Sequence, residues 1–562
     1  MSETEGDVAL RCAFAFVDEM VKGGLEHACV SPGSRSTPIA LAFARHPGVR
    51  VHVHLDERAS AFFALGIGKA THRPAAAVCT SGTAAAEFLP AVVEGSMSRV
   101  PLLLLTADRP PELRGVGANQ AIDQRRLYGR HARWFVDAPV PGEASSARRW
   151  RSLAKRAFTR TIAPPSGPVQ VNLPFREPLV PAHHVSEHAF QGRGITVVAT
   201  EREERAGLLE EIRGVERGVV VAGSLRAPAP SLAALSRHLA WPLIAEPTSG
   251  LRAPGALGAG TLLLSNDGFV QRHRPELLLQ VGGAATSRPG LAFAAVAGRL
   301  VIVDPDDLVA DPNRVAAATI VDSPELLARQ VLDSVAQREP GAWLREWHDA
   351  DDRARDAVDG TIDAWDEPFE GRVARDVAEC VPDGSTLVVG SSMPVRDLDL
   401  YMRPRDRLRV LSNRGASGID GFVSTTFGVA ATGAPTTALC GDLTLLHDVG
   451  SLIWNARRGL DAVFVVPNND GGAIFSFLPQ RELPEFEELF ATPHGLDLAA
   501  VCEAAGAGHE MIRHAGDLVP AIERSLRASG VHVIEVPTDR DDNVRRHAEV
   551  HEAVADALRR TM

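Results

Sequence analysis

A chain of 562 residues, 45% hydrophobic and 23% charged, has ample material for several packed domains. Its net charge of −12 disfavours nonspecific nucleic-acid binding, and no apolar run approaches the length of a membrane span. The acidic start Ser2-Glu3-Thr4-Glu5 is the wrong opening for a signal peptide; the six cysteines (12, 29, 79, 380, 440 and 502), scattered without Cys-x-x-Cys spacing, read as buried thiols of a reducing cytoplasm.

The first third alternates helix and strand. Asp7 to Lys22 carries apolar residues at helical spacing and stops at Gly23-Gly24. His27 to Val30 predicts a strand ending in Ser31-Pro32-Gly33-Ser34-Arg35-Ser36. Val49 to Leu55 predicts another, followed by Asp56-Glu57-Arg58 at the start of an alanine-rich helix. Ala75–Cys79 runs into Thr80-Ser81-Gly82-Thr83, Val100–Leu105 ends in Thr106-Ala107-Asp108-Arg109-Pro110, and Pro168–Leu173 closes the unit. If these strands are parallel, the polar clusters share one sheet edge. Pro181 to His188 reads as a linker.

The middle repeats the rhythm, with strands near 218–221, 277–281 and 300–303. Gly258-Ala259-Gly260 lacks the full dinucleotide fingerprint and predicts no nucleotide. A charged, loosely patterned stretch, Arg338 to Asp363, leads to the third unit, whose strands fall near 386–389, 409–411 and 532–536 and on both flanks of 441–472.

That last stretch organises the chain. Gly441-Asp442-Leu443-Thr444 follows the apolar run Thr436–Cys440, and Asn468-Asn469-Asp470-Gly471-Gly472 follows Ala462–Val466, with Ser451–Arg458 as part of a crossover helix. Asp442 and Asn469 therefore sit just beyond the carboxyl ends of two strands, where open α/β sheets place ligands. Both are hard oxygen ligands suited to Mg²⁺, and the glycines let backbone approach a phosphate closely. Each pair alone is ordinary turn chemistry. Together, a Gly-Asp dipeptide, a crossover and Asn-Asn resemble the Mg²⁺–thiamine diphosphate motif, with Leu443 in place of its third glycine.

The strings SPGSRSTP, HLDERAS, TSGTA, LTADRPPEL and GANQ, with SNRGASGIDG at 412–421 and NNDGGAIFSFLP at 468–479, make the resemblance specific. They resemble the 2-succinyl-5-enolpyruvyl-6-hydroxy-3-cyclohexene-1-carboxylate synthases, thiamine-dependent enzymes of menaquinone biosynthesis. The match is dense over 28–125 and 386–480 and thin elsewhere. It implies an α/β protein of three doubly wound parallel-sheet domains: a pyrimidine-binding domain (1–185), a central domain (186–350) and a diphosphate-binding domain (351–562). It also implies a cytoplasmic transferase that uses thiamine diphosphate and Mg²⁺, with Mn²⁺ as an alternative metal. The reaction would join 2-oxoglutarate to isochorismate with loss of CO₂.

The resemblance also assigns residues. Glu57 would hydrogen-bond the aminopyrimidine ring; read alone, it is as well a first-turn acid complementing a helix dipole. Asp442, Asn469 and the Gly471 carbonyl would hold the metal. Gly390, Ser391, Ser392, Met393, Gly441, Leu443, Thr444, Gly472, Ala473 and Ile474 would cradle the cofactor, and Ile419 would prop its bent form. Ser34, Arg35, Arg109, Asn119, Gln120, Arg288, Ser392, Arg396 and Arg414 would bind the carboxylate-bearing substrates, the arginines because such anions need bidentate partners. Among these, Arg35, Gln120 and Ser392 join Glu57 as the catalytic set, and Ile474, Phe475 and Leu478 form an apolar wall. Asp470, where a third asparagine is frequent, would put an extra acid beside the metal. His447 reads as structural, and no acid–base histidine is apparent near the motifs. The family arrangement implies a homodimer or homotetramer, Glu57 of one subunit serving cofactor held by the other. The alternatives are another thiamine-dependent decarboxylase or carboligase, against which the arginine set speaks, and a non-catalytic binder on the same fold, which has no use for Glu57.

Overall fold

The computed structural model describes residues 3–142, 146–183, 205–225, 227–306 and 310–559. They fall into two compact units: residues 1–199 with 413–433 and 447–460, and residues 200–412 with 434–446 and 461–562.

The first unit is built on a sheet of β1 (His27–Val30), β2 (Arg50–Val53), β3 (Ala75–Cys79), β4 (Leu102–Asp108), β5 (Trp134–Asp137) and β6 (Pro168–Pro174). All pairings are parallel, in the order β2-β1-β3-β4-β6-β5. β3 and β4 are buried along their whole length, as befits strands with helices on both faces. The first helix spans Glu5–Gly23, two residues longer at its start than its apolar spacing predicts. The extension comes from a capping box: the Asp7 N–H donates to Thr4 Oγ1 (3.2 Å) and Thr4 N–H donates to the Asp7 carboxylate (2.9 Å). Strand β5 is absent from the predicted set. It is a four-residue, half-exposed edge strand after an arginine- and glycine-containing loop, too short to show a period.

The second unit carries two sheets. The central one contains β7 (Gly218–Ala222), β8 (Leu243–Ala245), β9 (Leu277–Val281), β10 (Leu300–Asp304) and β11 (Ala318–Val321), in the order β11-β10-β9-β7-β8. The other contains β12 (Thr386–Val389), β13 (Arg409–Leu411), β14 (Thr436–Leu439), β15 (Ala462–Asn468), β16 (Gly508–Met511) and β17 (Val531–Pro537), in the order β13-β12-β14-β15-β17-β16. Both are parallel throughout. Numbered from its own first strand, the third sheet has the same 2-1-3-4-6-5 order as the first, so the expected kinship in plan holds. In each the order reverses between the first and third strands, and ligands bind beyond the carboxyl ends at such a switch point. The fold is three parallel-sheet α/β layers, as predicted.

One reading of the middle needs correction. The stretch 338–363 is not irregular: Ala342–Ile362 is one helix, burying Trp347, Ala350, Asp351, Ala354, Val358 and Ile362 on one face. Its many charges occupy the other face and mask the apolar stripe. It runs through the expected division at 350/351. The Asp351 carboxylate accepts the N–H groups of Gly258 (2.9 Å) and Ala259 (2.7 Å), so the weak glycine pattern spends its donors inside the fold. Of the expected linker 181–188, residues 184–188 lie outside the described residues, as does the division at 185/186. All six cysteines are free thiols, five of them buried. No described helix is long and apolar enough to cross a membrane.

Candidate functional site

In the second unit the ends of β12, β14 and β15 bring together most of the predicted cofactor residues. Asp442 starts the short helix Asp442–His447, and its carboxylate is 1% exposed. It accepts the N–H groups of Leu443 (2.6 Å) and Gly471 (2.9 Å) and lies 3.3 Å from His494 Nε2. Burial pushes its pKa above the usual carboxylate value, and these donors offset only part of that. Beside it, Asn469 is 7% exposed, donates Nδ2 to Glu370 Oε1 (2.9 Å), and leaves Oδ1 buried without a partner. A buried carbonyl oxygen without a donor is rare and costly. Here it has no hydrogen-bond partner among the described residues, which suits a metal ligand. Gly471 has φ +143°, and a Cβ there would lie 2.2 Å from the Ala491 carbonyl oxygen; one on Gly472 would lie 2.6 Å from that of Phe490. Among the described residues no three His, Cys, Asp or Glu side chains converge to hold a metal. One carboxylate, one amide oxygen and a backbone carbonyl therefore suit Mg²⁺, which keeps water and phosphate oxygens as its remaining ligands. The residues present fit a metal diphosphate.

Around this cradle, Gly390 donates its N–H to the Leu439 carbonyl (2.8 Å), and Ser391 is buried. Ser392 is held at φ +71°, ψ −134°, a conformation that strains a residue with a Cβ, just before the helix Met393–Tyr401. Arg396 Nη1 donates to the Ser392 carbonyl (2.6 Å), so this arginine braces the strained turn. Ala473, Ile474 and Phe475 lie in the 3₁₀ turn Ala473–Phe477, with Leu478 next, and the Phe475 ring packs on Phe490 at 5.8 Å. The predicted wall is thus a continuous half-buried apolar segment. The Asp470 carboxylate accepts the N–H groups of His494 (2.9 Å) and Gly495 (2.8 Å), fixing that turn. Arg288 begins the helix Arg288–Val296, is exposed, and bonds none of the other predicted residues.

In the first unit a second group forms at the ends of β1, β3 and β4. Arg35 is 6% exposed and donates to the Phe175 carbonyl (2.9 Å) and to Glu177 (2.8 Å). Arg109 bonds Ser81 Oγ, and Gln120, at φ +55°, donates Nε2 to the Ser81 carbonyl (2.9 Å). Burial and then the nearby Arg35 hold the Arg109 guanidinium below its ordinary pKa. Ser34 and Asn119 are exposed on the neighbouring loops. Glu57 is the first residue of the helix Glu57–Thr71, whose N-cap Asp56 accepts the Ala59 N–H (3.1 Å). It makes no ion pair among the described residues, and burial raises its pKa. The same unit contains Arg414 and Ile419, on a loop secured by a residue the motifs do not mark. Glu94, 1% exposed, accepts the N–H groups of Gly415 (3.1 Å) and Ala416 (2.7 Å) and the Nζ of Lys69 (3.0 Å).

Three functional candidates escape sequence reasoning: Glu94, Glu370 and His494. Glu94 sits in an apolar helix, and Glu370 opens an amphipathic one, where acids are ordinary first-turn residues. His494 lies 24 residues beyond Asp470 in sequence, outside the motif, although it lies 3.3 Å from Asp442. His447 is exposed at a helix end, away from such a role.

Comparison with known proteins places these sites in a family context. Residues 10–127 match the N-terminal TPP binding domain of thiamine pyrophosphate enzymes, 195–389 the middle domain, and 396–536 the C-terminal TPP binding domain. A Geobacillus thermodenitrificans protein named 2-succinyl-5-enolpyruvyl-6-hydroxy-3-cyclohexene-1-carboxylate synthase is 41% identical, across 97% of this chain and 96% of its own length. Proteins of the same name from Thermobifida fusca (43% identical, 97% of this chain, 99% of theirs) and Myxococcus xanthus (39%, 97% of each) are similar throughout.

Proposed function

The chain belongs to the 2-succinyl-5-enolpyruvyl-6-hydroxy-3-cyclohexene-1-carboxylate synthases, carbon–carbon bond-forming thiamine pyrophosphate enzymes, and from that premise we propose its substrates and the work of its residues. It decarboxylates 2-oxoglutarate and adds the remaining succinyl-semialdehyde unit to isochorismate, a step of menaquinone biosynthesis. The observation that carries the substrate class is a pair of arginines fixed at strand ends of one sheet, Arg35 by the Phe175 carbonyl and Arg109 by Ser81, in a chain of net charge −12. Such a pair is stabilised by the carboxylates of a dianionic substrate.

Asp442, Asn469 and the Gly471 carbonyl would hold Mg²⁺, with Mn²⁺ as a substitute, and the Gly390–Met393 and Gly472–Ile474 segments would hold the diphosphate and rings. Thiamine diphosphate, when bound, supplies a carbon nucleophile and an electron sink for decarboxylation. The chain supplies the rest. Glu57, whose pKa burial raises, would hydrogen-bond the aminopyrimidine ring through its carboxyl oxygen. Arg35, Arg109, Arg396 and Arg414 bind carboxylates. Gln120, Asn119, Ser34 and Ser392 orient the acceptor, with Gln120 and Ser392 fixed by strained backbone. Ile474, Phe475 and Leu478 exclude water, Ile419 supports the cofactor, and Arg288 extends the substrate site from the central domain.

The assignment of domains 1–185, 186–350 and 351–562 is part of the same proposal, with the helix Ala342–Ile362 as the joint between the last two. So are a cytoplasmic setting, supported by six free thiols, and self-association into a dimer or a dimer of dimers. Leu55, two residues before Glu57, is 68% exposed, an apolar side chain suited to cover by a second copy.

The test supplies Mg²⁺, thiamine diphosphate and 2-oxoglutarate with and without isochorismate, following product and CO₂. Product that requires isochorismate supports the synthase reading. CO₂ without a coupled product points instead to a decarboxylase or another acceptor.

A further inference from the structure

We infer that Glu370 is a positioning residue for the metal: it fixes which end of the Asn469 amide faces the cation. The inference rests on the reading of Asn469 as a metal ligand. A primary amide has a donor end and an acceptor end of nearly equal size, and only its partners decide which way it points. A metal accepts only the oxygen end. Glu370 Oε1 lies 2.9 Å from Asn469 Nδ2 and also accepts Thr538 Oγ1 (3.0 Å). A carboxylate oxygen that takes two donors admits Nδ2 and repels Oδ1, so the buried, unpartnered Oδ1 is forced to the opposite side.

The rest of the strand end leaves Asn469 little other means of orientation. Asn468 is fixed separately: its Nδ2 donates to Glu535 (2.7 Å), and its Oδ1 accepts the Asp470 N–H (3.1 Å). Thr538 also donates its N–H to the Asn468 carbonyl (2.9 Å), which ties the hydroxyl that steadies Glu370 to the same strand end. Glu370 itself is 3% exposed and receives only neutral donors among these contacts. A buried carboxylate without a cation bonded to it is a poor device for stability. It is a good one for aiming an amide.

The measurement is Mn²⁺ affinity in the presence of thiamine diphosphate, read by the loss of free Mn²⁺ signal in electron paramagnetic resonance on the full chain. Glu370→Met fills the space but accepts nothing, and should weaken Mn²⁺ about 10- to 100-fold, the usual effect of losing an outer-shell partner. Glu370→Gln retains an acceptor oxygen and should stay within about threefold of the parent. Asn469→Asp offers the metal a stronger ligand, yet faces Glu370 with a second carboxylate. It should bind Mn²⁺ at least about tenfold more weakly, and adding Glu370→Gln, which can donate to it, should restore binding. Because Asn469→Asp, alone and combined with Glu370→Gln, tests the same contact through a rescue, it decides the matter even if Glu370→Met fails to fold. Mn²⁺ affinity unchanged in Glu370→Met, or no rescue in the double variant, overturns the inference. Asn469→Ala separates the two readings: if it binds Mn²⁺ normally, the ligand assignment fails first; if it does not and Glu370→Met does, only the role of Glu370 fails.

Discussion

Two buried carboxylates, each 1% exposed, have opposite fates in this molecule. Glu94 in the first unit receives Lys69, Ser98 Oγ (2.9 Å) and two backbone N–H groups; burial pushes its pKa up, but Lys69 and those donors outweigh it and hold it below the usual value. Asp442 in the second unit receives two N–H groups and a histidine, no lysine or arginine among the described residues, and stays above the usual value because burial wins. Next to Asp442 lies the unpartnered Asn469 Oδ1; next to Glu94 the chain supplies a cation. A carboxylate that serves the fold is neutralised by the fold. One left short of positive charge suits a cation from outside.

The largest effect expected from this difference is on stability. Glu94→Ala strands a buried lysine and two buried N–H groups, and should cost about 3–5 kcal/mol, seen as a lower urea midpoint. It should also loosen the loop bearing Arg414, raising KM for the carboxylate substrates more than it lowers kcat. Lys69→Met alone should be nearly as damaging to stability. A neutral outcome for either would show that the pair is not what holds the loop.

Asp442→Asn inverts the pattern. Removing a costly buried charge should leave the metal-free protein within about 1 kcal/mol of its parent stability, or above it. Mn²⁺ affinity should nevertheless fall by at least about 100-fold, since a direct ligand matters more than its supports. Calorimetry on the metal-free variant beside the same metal titration separates the two effects. If Asp442→Asn unfolds as readily as Glu94→Ala, the contrast between the two carboxylates is lost.

The asymmetry also explains what was legible in the sequence. Asp442 and Asn469 announce themselves because they follow apolar runs with glycines beside them, and β14 and β15 are parallel neighbours as that reading requires. The arrangement of the first and third sheets followed from the same alternation. Glu94 and Glu370 do not announce themselves, because nothing local distinguishes a buried helix acid from a solvated one; their partners are 322 residues away for Ala416 and 99 for Asn469. The contacts of Asp470 were not legible, because they depend on the turn at His494. The helix Ala342–Ile362 was hidden by its own charged face.

A third test asks how the first unit tolerates protons. His27 Nδ1 and His52 Nε2 face each other at 3.0 Å, so only one proton fits between them, and both ring nitrogens of buried His54 lack partners. Burial holds His52 at about 4 and His54 at about 3, below the unfolded value near 6.5. A depressed pKa means the unfolded chain binds the extra protons. Stability is therefore complete above about pH 6.5 and falls as pH drops toward the folded values, by roughly 2 kcal/mol per histidine near pH 5. His52→Gln together with His54→Phe should flatten the profile of chemical denaturation between about pH 7 and pH 5. An unchanged acid limb would assign the loss to other groups.

The smallest effect concerns His494, and it sharpens the account of Asp442. The Leu496 N–H donates to His494 Nδ1 (2.9 Å), so a neutral ring carries its proton on Nε2, 3.3 Å from Asp442 Oδ2. The histidine is thus a donor that steadies the carboxylate. His494→Gln keeps a donor on a side chain of similar reach and should cost no more than about threefold in Mn²⁺ affinity, whereas His494→Ala should cost about tenfold. The order of the two matters more than their size. If the glutamine variant is as weak as the alanine, the ring acts by filling space above the turn that Asp470 secures. If alanine is neutral, two backbone N–H groups suffice to orient Asp442, and the incomplete charge of the cradle rests on burial alone.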